Sequence, residues 1–405
     1  MKKTLSFVTA LLMIASLAGC GNSSGTASSS SAESVESSAS SEEVSAESSE
    51  AEVESSASSE ETAAEGTHIV VDHAGNKVEV PYDIERIAVA DIYPLPSVLS
   101  IFFDSAEKLV GIAPASMTAA QNSLLSELYP EILNASTDFT DGSTVNIEEL
   151  IKLDPDVVFY GASNPEVGEQ LKNAGLPGIA ISVNKWDYNA IETLDNWISL
   201  IGELFPENDK TDLVSNYSNE VYDEVQSRVA DMTDEERARV FFLFQYSDAA
   251  IATSGEHFFG QWWADAIGAV NVAKELSNDN SSKVTMEQIY GWNPDTILIT
   301  NFNKAKPEDL YNNTIGSYDW SEIDAVKNQN CYKMPLGMYR SYTPGVDTPI
   351  TLYWLAQTVY PDLFSDIDVT EETINYYKEV FGVELTEEQA ESIFTPVTAA
   401  GAVFD

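Results

Sequence analysis

The sequence predicts an α/β fold of two similarly built lobes joined by one long helix. Apolar strand candidates alternate with helical segments, which is the pattern of α/β architectures. One helix–turn–strand unit occurs twice. Between the two copies lies a stretch in which Leu213, Tyr217, Val221, Val225 and Val229 recur every four residues among Asp, Asn, Ser and Glu.

The elements follow in order. Lys2 and Lys3 precede an apolar run, Leu5–Ala18, that is too short for an ordinary transmembrane helix and has the form of a secretory signal. It ends Leu17-Ala18-Gly19-Cys20, similar to the lipobox of bacterial lipoproteins, which implies that Cys20 becomes the lipidated first residue. Residues 21–66 hold eighteen serines and eleven glutamates but no Lys, Arg, Phe, Trp, Tyr, Leu or Ile. Such a segment cannot bury enough surface to offset its chain entropy, and its like charges extend it. It reads as a spacer that lifts a domain off a membrane.

The folded part begins near Thr67. Ile69–Asp72 and Val78–Pro81 flank turn residues and predict a hairpin; Arg86–Ala90 and Leu109–Ile112 are buried-strand candidates around a helix over 97–103. The repeated unit is Val145–Asp156 followed by Val157–Tyr160, and Val284–Asp295 followed by Thr296–Ile299. Each copy reads as a short helix, an Asx-Pro-Asp turn and an apolar strand. Asn146 and Thr285 stand where an N-cap belongs. Helices are also expected over 191–205 and 209–232, the latter bridging the lobes.

Composition excludes several functions. The chain has 20 Lys and Arg against 66 Asp and Glu, a formal charge of −46, so no basic footprint for a phosphate backbone exists. Two cysteines and three histidines cannot build a disulfide framework, an iron–sulfur cluster or a His-rich metal cage. No nucleophile elbow, phosphate loop or His-Glu-x-x-His motif is present, so an enzyme is not expected.

Four marks together resemble the ABC-transporter substrate-binding lipoproteins that deliver ferric siderophores, haem, cobalamin and related chelates. They are the Val71-Asp72 to Pro81 opening followed by Glu85-Arg86-Ile87; the two Glu-containing corner helices; Thr253-Ser254-Gly255 leading to Gly268-Ala269-Val270-Asn271-Val272; and the tail Pro349–Ala356 with Tyr360–Phe364. Ala269 departs from the family, which usually has a second glycine there. The resemblance implies two Rossmann-like lobes bridged by one helix, the class III arrangement of periplasmic binding proteins. The expected division is 1–19 signal, 20–66 lipidated Cys20 and linker, 67–207 first lobe, 208–238 bridging helix, 239–346 second lobe, 347–394 C-terminal helices and 395–405 tail.

It also implies a ligand held between the lobes on loops at strand carboxyl ends. Those loops carry Tyr93, Tyr246, His257, Tyr339, Arg340 and Tyr342. Tyrosines suit a chelate with an organic shell, and a phenolate can ligate ferric iron. The chain has only five arginines, and Arg340 lies among aromatics where it could grip a carboxylate or phosphate bidentately. The expected ligand is a ferric chelate (siderophore or haem), with cobalamin or an oxyanion such as molybdate as the alternative; no cofactor and no certain metal ligand are expected. Glu148 and Glu287 hold the same position in the two copies. In relatives, glutamates there dock on the two permease subunits. A lipid-anchored monomer on the outer face of the cell membrane, partnered by an ABC permease and no nucleic acid, is the resulting expectation.

Overall fold

In a computed structural model, residues 66–142, 144–278 and 280–396 are described. Cys20, the signal and the linker lie outside them. The described residues belong to one compact unit. Among them no helix is long and apolar enough to cross a membrane.

The chain opens with the expected hairpin, β1 (Thr67–Val71) paired to β2 (Lys77–Pro81). Asp72 closes its turn by accepting the Ala74 and Asn76 N–H groups, and its other oxygen accepts Ala180 N–H at 3.0 Å. Gly75 takes the left-handed conformation (φ 84°) that this turn requires. One acidic residue thus folds the hairpin and pins it to the edge of the first sheet. That sheet is parallel. Its order is β4 (Leu109–Ile112), β3 (Ile87–Val89), β5 (Val157–Gly161), β6 (Gly178–Ile181). Every residue of β3 and β5 is buried, as expected of strands covered on both faces.

The second sheet is mixed. β7 (Arg239–Tyr246) lies between antiparallel β8 (Ile251–Ser254) and parallel β11 (Thr296–Ile299). β10 (Ser281–Val284) extends it beyond β8, β12 (Cys331–Lys333) beyond β11, and β9 (Val270–Asn271) pairs the start of β7. Gly255, from the third mark, ends β8 against another backbone: a Cβ there would lie 1.9 Å from the Leu276 carbonyl oxygen. Ala269 is buried without difficulty beside Gly268, whose φ is 67°.

The duplicated corners match in detail. The first corner helix, Ile147–Lys152, is capped by Asn146, whose side chain accepts the Glu148 and Glu149 N–H groups. The second, Met286–Trp292, is capped by Thr285 in a capping box with Gln288. Each corner is then fastened to the neighbouring strand by an aspartate and an arginine. Asp156 accepts Arg86 N–H, and the Arg86 guanidinium donates to the Leu153 and Asp154 carbonyls. In the second lobe Asp295 accepts Arg239 N–H, and Arg239 donates to the Trp292 carbonyl. Arg239, which reads in sequence as one charge among several, is therefore the counterpart of Arg86.

Between the sheets in sequence come the helix Ala190–Leu204 and the bridging helix Thr211–Val229. The latter's 19 residues span about 28 Å at 1.5 Å each. Its buried stripe is Val214, Ser218, Val221, Val225 and Val229. Leu213, expected on that stripe, is 51 % exposed. A strict four-residue step advances 400°, so five such positions drift round the helix by about 160°; the chain instead shortens one step to three. The C-terminal helices Thr348–Val359 and Val369–Tyr376 bond to this helix through Tyr353 to Glu224 and Tyr217 to Glu372, and the segment between them through Asp366 to Arg228. A last helix, Glu387–Phe394, reaches the first lobe through Gln389 to Glu127.

Candidate ligand site between the lobes

Loops at the carboxyl ends of β3 and β5 meet in the first lobe. The Asp91 carboxylate accepts Gly161 N–H at 2.6 Å and the Asn164 amide at 3.2 Å. Tyr93 donates its hydroxyl to the Gly142 carbonyl at 2.7 Å, and its own carbonyl accepts Ser116 Oγ–H. Asp91, Tyr93, Gly142 and Gly161 are thereby drawn into one cluster.

The second lobe supplies Arg340. It is 5 % exposed, and its φ of 30° is unusual for a residue with a side chain. The guanidinium carbon lies 4.7 Å from the centre of the Phe302 ring and 5.3 Å from that of Tyr339. Nη1 donates to the Tyr339 hydroxyl at 3.3 Å. Such stacking suits a weakly hydrated, planar cation.

The lobes touch here. Tyr339 and Leu336 pack with Ala119 of the helix Pro114–Asn122, and Tyr93 lies against them. Ser123 Oγ donates to the Met338 carbonyl. On another side of the lobe contact, Tyr188 packs edge-on against Phe258 and Phe259. The phenols of Tyr93 and Tyr339 share one electrostatic environment. Burial raises both, Tyr339 to about 12, while the Arg340 charge opposes the rise. The Tyr93 hydroxyl donates to Gly142, and the Tyr339 hydroxyl accepts from Arg340.

Three expected site residues are elsewhere. Tyr246 faces a separate core of the second lobe, donating to the Ile315 carbonyl and accepting Trp320 Nε1–H. A register shift between Leu243 and Gln245 changes which face the later residues of β7 occupy, so Tyr246 joins Phe241 and Leu243 rather than Phe242 and Phe244. Tyr342 is wholly buried and accepts Gly260 N–H at 3.0 Å. It backs the wall formed by Phe244, Phe258 and Phe302. His257 points to solvent beside Glu256. Phe302 was not expected. The repeat contains its signal: Thr300–Asn303 follows Ile299 as Gly161–Asn164 follows Tyr160 in the matched copy. Among the described residues no cluster of three or more His, Cys, Asp or Glu side chains could hold a metal ion. Glu148 and Glu287 are both exposed at the start of their corner helices.

Two α/β lobes that close strand-end loops around a buried cation define a solute-binding protein. The family profile described as periplasmic binding protein matches residues 100–336, and the chain belongs to that family. It is thus the extracytoplasmic solute-binding component of an ABC transporter and not an enzyme. The chain is 24 % identical over 332 residues to the molybdate-binding protein MolA of Haemophilus influenzae, covering 77 % of this chain and 90 % of MolA. The structure of MolA bound to molybdate superposes with a TM-score of 0.66 over 79 % of this chain and 99 % of that one. A periplasmic solute-binding protein from Veillonella parvula is 28 % identical with a TM-score of 0.73, over 84 % of this chain and 100 % of its own. Helicobacter pylori CeuE with Ni(II) bound shares the fold at 20 % identity and a TM-score of 0.64, over 81 % and 99 %.

Proposed function

We propose that the protein captures a small oxyanion of the molybdate type at Arg340 and hands it to an ABC permease. One observation carries this reading: a buried guanidinium stacked on Phe302 and Tyr339 among the strand-end loops. A guanidinium fork donates paired, charge-assisted hydrogen bonds to an oxyanion. The likeness to MolA, named as a molybdate binder, supports the same class. A ferric siderophore or haem is the second reading, supported by the partly buried aromatic side chains of Tyr93 and Phe302 beside Arg340. Cys20 supplies the lipid anchor and Glu148 and Glu287 the permease contacts, the protein acting as a monomer. Each glutamate has an exposed apolar residue one turn along its helix, Ile151 in one lobe and Tyr290 in the other.

Calorimetric titration with molybdate, tungstate, a ferric catecholate and haemin tests the ligand. Saturable one-to-one binding of molybdate is expected, weakened by about 1.5–3 kcal/mol in Arg340→Ala. Arg340→Lys should not restore it, because a point charge cannot reproduce the stacked fork. Tight binding of the ferric chelate with no response to molybdate would overturn the oxyanion reading.

A further inference from the structure

The loop bearing Arg340 turns left-handed at Gly337 (φ 59°), where glycine permits it, and is strained at Arg340 itself (φ 30°). Such backbone persists only where its surroundings over-determine it. Directly behind the loop is Asp347, 4 % exposed, at the start of the helix Thr348–Val359. One carboxylate oxygen accepts Met338 N–H at 2.6 Å, and the other accepts the Tyr377 hydroxyl. A Cβ at Gly337 would lie 2.3 Å from the first oxygen, so loop backbone and carboxylate are in direct contact. The carbonyl of Asp347 accepts Thr351 N–H, and that of Val346 accepts the Tyr376 hydroxyl. Strained loop and C-terminal helices therefore converge on one side chain.

The titratable groups facing Asp347 are Tyr377 and Tyr376, with Tyr129 beyond Tyr377. All are neutral phenols. Burial lifts the Asp347 carboxyl to about 6, and the Tyr377 and Met338 hydrogen bonds pull the other way. A buried carboxylate without a cation at its side is costly. In return it gives the Met338 N–H an ionised acceptor, a bond about twice as strong as a neutral one.

We propose that Asp347 is a positioning residue for ligand capture: its grip on Met338 N–H holds the Gly337–Tyr342 loop in the conformation that stacks Arg340 on Phe302 and Tyr339. The link to capture rests on the reading that Arg340 holds the anion. Tyr377 extends the same restraint to the C-terminal helices.

The test uses the ligand-free protein and molybdate as probe. Amide exchange is measured for wild type, Asp347→Ala and Asp347→Asn. Molybdate titration is measured for these, Arg340→Ala and the Arg340→Ala/Asp347→Ala double variant. Asp347→Ala is expected to speed exchange of the Met338–Tyr342 amides more than those of the following helix, and to weaken molybdate about 10-fold, the scale of one charged hydrogen bond. Asp347→Asn, which keeps a neutral acceptor of the same shape, should recover part of both, to the level that wild type shows below about pH 6. The double variant should bind no more weakly than Arg340→Ala alone, since Asp347 acts through Arg340. Loop protection in wild type should fall as pH drops through about 6, and the asparagine variant should show no such step. That comparison carries the test if Asp347→Ala does not fold. Unchanged loop exchange in Asp347→Ala, additive losses in the double variant, or the same pH step in Asp347→Asn would overturn the proposal. If wild type and Arg340→Ala treat molybdate alike, the oxyanion reading fails instead, and loop exchange still decides what Asp347 does.

Discussion

His73 shows how a single side chain can be committed by its neighbours. Its Nδ1 accepts Ser182 N–H at 3.1 Å, which leaves Nε2 to donate to the Asn196 carbonyl at 3.2 Å. Both nitrogens are used only in the neutral ring. Burial accordingly lowers its pKa to about 4. In sequence it looks like a surface residue beside a turn, because nothing local reveals that the hairpin docks on 182 and 196. The sign of the linkage is clear: the unfolded chain binds the proton between about pH 6.5 and 4 and the folded chain does not. Stability from this group is complete above pH 6.5 and is lost as pH falls through that window. Thermal melts across pH 4–7 should show a steeper acid loss in wild type than in His73→Gln, and parallel curves would refute the assignment. Arg340 and Tyr93 were legible because arginine is scarce and the family places those loops in the cleft. Tyr246 was not, because the irregularity after Leu243 reverses the alternation on which any strand reading depends.

At the level of elements, the corners were the most readable part. Their caps, turns and strands are set by residues a few places apart, and Asn146 and Thr285 cap as expected. The arginine clasp was not readable, since Arg86 and Arg239 lie far in sequence from the helix ends they hold. The bridging helix was recognisable by period but misread by face. Val225 is fully buried and Leu213 half exposed. Val225→Ala should therefore cost about 2 kcal/mol, from lost transfer energy plus a small cavity. Leu213→Ala should stay within about 0.5 kcal/mol of wild type, as exposed sites do. Chemical denaturation of both variants checks this, and equal losses would restore the strict four-residue stripe.

For the whole molecule, the repeat places one exposed glutamate and one exposed apolar side chain on each lobe. A partner that reads both needs two similar pockets, as paired permease subunits offer. Glu149 is the internal control: it pairs with Lys152 at 2.6 Å, and Gln288 replaces it in the second copy. Joint replacement of Glu148 and Glu287 by alanine should abolish ligand-stimulated uptake while the calorimetric affinity for molybdate stays unchanged. Persisting uptake, or affinity lost with it, would count against docking there. The two lobes were foreseeable from the repeat, whereas their contact beside Arg340 depends on Ala119 and Leu336, which no local pattern marks. The arginine clasps give this arrangement a mechanical character. Each corner helix is bolted at its rear to the first residues of β3 or β7, and the far ends of those strands open into the loop of Asp91–Tyr93 and toward the Phe244–Phe302 wall. A pull on either corner is thus borne by a stiff strand rather than absorbed by a slack loop, and it arrives at the loops that surround Arg340.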